Sequence, residues 1–164
     1  MKRDRSSVAK MNYSHKKLPG KEITLQFPVQ NGGEEKKILK IPLFVDMNAG
    51  IGGDVWPAAN LFGNLLTQSS DMYQVFSQIF LQKKVIELGS GNGLVSILIE
   101  KLFPNVDSIA VSDIDDHLPL INHNLELNKC EKCHVESVNW FDYSSCIIDS
   151  AKQKTYDVIL ALEW

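Results

Sequence analysis

No apolar run in this 164-residue sequence approaches the roughly 18 residues that a membrane span needs. The amino-terminal residues also lack the apolar core of a secretory signal, so a cytoplasmic protein is expected, with no membrane partner. Cysteine is scarce. The three residues Cys130, Cys133 and Cys146 are an odd count without a disulfide framework, which points to a reducing compartment. No internal repeat is visible. No Gly-Lys-Ser/Thr follows the glycine-rich stretch, which excludes a P-loop. Positive charge is also missing from the body of the chain. Residues 1–21 hold seven Lys/Arg against one acid, Asp4, and the remainder holds ten Lys/Arg against nineteen acids. Such a body is poorly suited to nucleic acid, where binding is driven by phosphate neutralisation, and better suited to a basic protein partner.

What is present fits one soluble domain: 44% apolar and 23% charged residues are ordinary proportions for a globular chain. Residues 1–20 are polar, end in Pro19-Gly20 and read as a flexible basic arm, with the folded domain over residues 21–164. Ile23 to Phe27 and Ile38 to Ile41 alternate in polarity around the turn cluster Asn31 to Glu35, so a β-hairpin is expected over residues 22–44 as an accessory to any larger sheet. Asp54 is a candidate N-cap for a helix opened by Trp56-Pro57, and residues 71–82 predict a second helix.

The chain is organised around Val85-Ile86-Glu87-Leu88-Gly89-Ser90-Gly91-Asn92-Gly93-Leu94. A short apolar strand, three alternate glycines and a periodic apolar segment describe a strand–turn–helix unit whose backbone can approach a nucleotide-like ligand. The dinucleotide pattern would need a glycine at Leu94. A second strand, residues 108–112, ends at Asp113, 26 residues beyond Glu87. A carboxylate there can accept the ribose hydroxyls of a nucleoside. Residues 113–128 read as a helix carrying His117 and His123 as surface or capping residues. Residues 134–138 and 156–162 predict the third and fourth parallel strands.

Cys130-Glu131-Lys132-Cys133-His134 has the Cys-x-x-Cys-His spacing of haem attachment, but no export signal accompanies it. A zinc site would want a second Cys/His pair, and only Cys146 remains, so no metal is expected.

The Glu-Leu-Gly-Ser-Gly-Asn-Gly-Leu-Val run resembles the first motif of the seven-strand S-adenosyl-L-methionine-dependent methyltransferases, and within them the family-16 protein-lysine methyltransferases. Further landmarks follow in that family's order: Val55-Trp56-x-Ala58-Ala59, the Asp113…Leu118-Pro119-Leu120-Ile121 run to Asn128, Trp140, and Tyr156 to Glu163. Pro57 stands where the family usually has Asp, Phe141 where it has Gly, and Glu163 where it has Asp. The resemblance implies a Rossmann-like α/β fold and S-adenosyl-L-methionine bound by Trp56, Gly89, Ser90, Gly91, Asp113, Trp140 and Leu162. It further implies catalysis at Glu163, acting on a basic protein such as translation elongation factor 1-alpha, by a monomer. It covers residues 50–164, so such a domain would be truncated after its fourth strand. A methyltransferase for a small molecule or nucleic acid would share Gly89–Gly93 and Asp113 but not Trp56 and Glu163. A non-catalytic binding paralogue is the other alternative.

Overall fold

Alternating apolar residues set the first element. In the computed structural model, which describes residues 20–29, 37–46, 49–141 and 156–162, β1 (Lys21–Val29) pairs antiparallel with β2 (Lys37–Val45), Leu25 opposite Ile41. Phe27, Val29, Ile41, Leu43 and Val45 are buried while the residues between them are partly or fully exposed, the period-2 pattern of a sheet with one covered face. The hairpin forms its own two-stranded sheet, as expected. Its anticipated turn, residues 31–35, lies outside the described residues.

A short 3-10 turn (Ile51–Gly53) leads to α1 (Pro57–Gln68), α2 (Ser70–Phe80), β3 (Lys84–Leu88), α3 (Leu94–Leu102), β4 (Ser108–Asp113), α4 (Leu118–Leu127), β5 (Cys133–Ser137) and β6 (Val158–Leu160). The last four strands form one parallel sheet in the order β5-β4-β3-β6. The chain winds outward from β3 to β5 and returns to β6 on the other side of β3. That reversal is where open α/β sheets hold their ligands, outside the carboxyl ends of the strands. The α/β architecture with a hairpin extension is therefore the one expected.

The core sits between the sheet, α3 and the hairpin. Leu94, Val95, Ile97, Leu98, Ile99 and Leu102 are all buried, so α3 is apolar around most of its circumference, as suits a helix covered on both sides. Gly63 of α1 is also buried, and a Cβ there would lie 2.5 Å from the Phe27 ring and 2.9 Å from Leu98. A side chain at this position would push the hairpin off the domain.

Several boundaries differ from expectation. Asp54 does not cap α1: Trp56 occupies the N-cap position in an extended conformation, and Pro57 opens the helix where no N–H is needed. Asp54 instead accepts from the Val55 N–H at 2.8 Å. Helix α4 begins at Leu118, not at residue 113, because a helix started at Asp113 would bury Pro119 in its interior at a cost of about 3 kcal/mol. β5 starts one residue early, and β6 pairs only through Val158–Leu160.

Candidate cofactor site

Each glycine of the Gly89–Gly93 turn has a positive φ, +64°, +57° and +81° in order. The turn lies against the loop before α1: a Cβ on Gly91 would come within 3.0 Å of the Gly52 carbonyl oxygen. Ser90 fixes the turn to β4, its N–H and hydroxyl both donating to the Ser112 carbonyl at 3.0 and 3.1 Å. Asn92 is buried; its side-chain amide donates to the Asp54 carbonyl at 2.8 Å, and its Oδ1 accepts from the Leu94 N–H at 3.1 Å. Behind it Asn124 of α4, fully buried, donates to the carbonyls of Asn92 (2.9 Å) and Phe44 (3.0 Å) and accepts from the Phe44 N–H (2.7 Å).

The turn, the loop at 51–56 and the ends of β3, β4 and β5 enclose a cavity of about 260 Å³. Glu87, Gly89, Ser90, Gly91, Asp113, His117, Trp56, Trp140 and Leu162 all line it. Seven of the eight residues expected to serve cofactor or catalysis are thus brought together. The eighth, Glu163, lies outside the described residues.

Asp113 is the hinge of the arrangement. Its Oδ2 accepts from the Gly91 N–H at 2.7 Å, and its Oδ1 accepts from the Ile114 N–H at 2.8 Å and faces His117 Nδ1 at 2.9 Å. Three of the carboxylate's roughly four acceptor positions are filled, which leaves one on Oδ2. Burial opposes its charge, yet the bonds from His117, Gly91 and Ile114 win and hold its pKa below the ordinary carboxylate value.

Of the two roles expected for His117, surface or capping, it takes the N-cap position of α4, though its side chain makes no cap bond. It is partly buried, and its Nε2 sits 2.9 Å from the Ala49 carbonyl oxygen while Nδ1 faces Asp113. Both neighbours are acceptors, so both ring nitrogens must donate, which only the imidazolium can do. The Asp113 hydrogen bond accordingly raises the His117 pKa against the opposing effect of burial. His123 is not on the surface either; it packs edge-on to Phe44 with ring centroids 5.3 Å apart. The signal for His117 was its spacing, four residues after Asp113 and one turn along.

Glu87 was overlooked as a site residue in its own right. Buried at the end of β3, it accepts from the Ser96 N–H at 3.1 Å and from the Ser96 hydroxyl, yet burial lifts its pKa to about 7. Trp56 stands in the cavity wall and not in the core, its indole N–H donating to the Ile51 carbonyl at 2.7 Å. Trp140, three residues beyond β5, is similarly half-exposed at the cavity.

The lysine methyltransferase family profile matches residues 34–163. The chain belongs to the lysine methyltransferase family. Protein-lysine N-methyltransferase EFM6 of Saccharomyces cerevisiae is 36% identical over 90 residues, which span 51% of this chain and 37% of the yeast protein. A Streptococcus mutans protein described as a SAM-dependent methyltransferase superposes with a TM-score of 0.50 at 18% identity, covering 82% of this chain and 31% of its own. That likeness shows the fold. A methyltransferase solved with S-adenosylhomocysteine aligns over 74% of this chain and 29% of its own, at 16% identity and a TM-score of 0.48.

S-adenosyl-L-methionine is the methyl donor of this lysine methyltransferase family, and the residues present fit it. The glycine turn exposes backbone, Asp113 keeps an acceptor position for a hydroxyl, and two tryptophans supply flat apolar walls.

Proposed function

We propose that this chain forms the cofactor-binding part of a protein-lysine N-methyltransferase acting on translation elongation factor 1-alpha. One observation carries the proposal: the Gly89–Gly93 turn is tied to Asp113 by the 2.7 Å Gly91 hydrogen bond, at the mouth of a tryptophan-walled cavity where the sheet reverses. When bound, S-adenosyl-L-methionine supplies an electrophilic methyl group on a sulfonium. Asp113 would take a ribose hydroxyl, Trp140 would stack on the adenine, and Gly89, Ser90 and Gly91 would admit the remainder of the cofactor. Trp56 and Leu162 close the apolar sides.

The attacking lysine amine must be neutral, although a free lysine has a pKa near 10.4. The site must therefore favour the neutral amine by desolvation, and positioning supplies most of the rate. Glu163, directly after Leu162 in sequence, orients the amine and offsets its developing charge. The elongation-factor substrate is supported by the Ser112-Asp113-Ile114-Asp115…Leu118-Pro119-Leu120-Ile121 run and by an acidic body suited to a basic protein. We take the protein to be a cytoplasmic monomer. Among the described residues, no helix is long and apolar enough to cross a membrane.

S-adenosylhomocysteine should raise the melting temperature by mass action, and Asp113→Ala should remove that shift with the fold intact. An undiminished shift in the variant would take Asp113 off the ribose. Intact-mass analysis of the elongation factor from cells lacking the gene tests the substrate; no lost methyl group would end that assignment alone.

A further inference from the structure

Cys130 and Cys133 have no part in the cofactor site. Cys133 opens β5 at its amino-terminal end, whereas Asp113, at the cavity, pairs with Ser137 at the other end of the same strand. The third donor that the sequence lacked arrives from α3. Glu100, Cys130 and Cys133 each offer one ligand atom, and these atoms all lie within 4.8 Å of one another. We propose that these three residues bind a thiophilic divalent cation of the zinc class.

The donor set is held in place before any ion arrives. Glu100 Oε1 accepts from the Glu131 N–H at 2.8 Å, and Oε2 accepts from the N–H groups of Lys132 (3.2 Å) and Cys133 (3.1 Å). The Cys133 thiol is hydrogen-bonded to the same carboxylate. The carboxylate cannot turn away without releasing the whole 130–133 turn. Cys133 Sγ rests 3.9 Å from the Ser96 carbonyl oxygen, which keeps the sulfur against the same helix. A tetrahedral zinc ion with bonds of about 2.1–2.3 Å places its ligands roughly 3.5–3.8 Å apart. The three donors need close by only about an ångström to reach that spacing.

Lys132, in the turn itself, gives its ammonium to the carbonyls of Pro104 and Val106 at 2.5 and 2.6 Å. On binding, the dication displaces the two thiol protons into solvent and is held by two thiolates and one carboxylate, with water in the fourth position.

The experiment uses the whole chain, reduced and stripped of metal, titrated with Co²⁺ and then Zn²⁺. A thiolate-to-cobalt charge-transfer band should saturate at one equivalent, collapse on adding zinc, and be accompanied by proton release and a higher melting temperature. Cys130→Ser and Cys133→Ser should each lose the band, while Cys146→Ser keeps it. Three results would overturn the proposal: no band at stoichiometric cobalt, a band that survives in both Cys130→Ser and Cys133→Ser, or closure of the two thiols to a disulfide with no metal uptake. S-adenosylhomocysteine binding measured on the same variants stays unchanged if the two sites are separate, so failure here leaves the methyltransferase proposal standing.

Discussion

Glu87→Gln isolates the cost of one buried charge. Glu87 is 4% exposed, and its only direct compensation is the pair of donors on Ser96; burial first, and the nearby Asp113 charge in addition, lift its pKa from 4.5 to about 7. The folded protein therefore keeps this proton where the unfolded chain has given it up. The stabilisation is fully present below the unfolded value and is lost as pH rises through about 7. A displacement of roughly 2.5 pH units corresponds to about 3 kcal/mol. Glutamine retains an oxygen that can accept from both Ser96 donors and carries no charge at any pH. The variant should match the wild type within about 1 kcal/mol near pH 5 and exceed it by about 3 kcal/mol by about pH 8. For a chain of this length that difference is about 6–12 °C in melting temperature. Thermal and urea unfolding of the cofactor-free protein across that range provides the measurement. A stability difference that does not grow with pH would refute the assignment of a buried, strained carboxylate. The functional cost should be opposite in sign, since a neutral side chain at the cavity floor holds a sulfonium ligand less well.

Three further outcomes are expected. S-adenosylhomocysteine affinity should fall as pH rises through the elevated His117 value, because the imidazolium that braces Asp113 and the Ala49 carbonyl is then lost. Asp113 and Asp116 are the charges that act on it, and in His117→Gln the calorimetric profile should lose this component; identical profiles would count against a cationic His117. Asn124→Ala should destabilise by about 2–4 kcal/mol, since one buried and two part-buried backbone groups lose their partners, and a loss under about 1 kcal/mol would mean that the gap is filled by water. Glu163→Ala should lose methyl transfer in the complete enzyme with cofactor affinity changed only a few-fold; a parallel loss of affinity would move Glu163 from the amine to the cofactor.

The elements that could be read from the sequence are those set by local pattern. Period-2 polarity marked the hairpin, and a short apolar run followed by three glycines marked β3, the turn and α3. Asp113 was accessible because it sits at a strand end one crossover from Glu87. What could not be read depends on residues distant in sequence. Pro119 moved the start of α4, and the chain from 114 to 117 then turned His117 back onto Asp113. Asn124 looks like any polar helical residue until the hairpin edge and the glycine turn are seen to need the same amide. Glu100 has no spacing relation to Cys130 and Cys133; only the packing of α3 against β5 joins them.

Three hydrogen bonds tie the hairpin at Phe44 and the glycine turn at Asn92 to the one side-chain amide of Asn124. Peeling β2 away frees the Phe44 N–H and carbonyl and leaves the Asn124 amide held only at the Asn92 carbonyl, beside Gly91 and Gly93. Phe44 does not line the cavity. Yet a ligand that holds the turn in place holds the Asn124 amide with it, so opening at Phe44 should become rarer when the site is filled. The exchange rate of one distant amide hydrogen, at Phe44, becomes a gauge of cofactor occupancy.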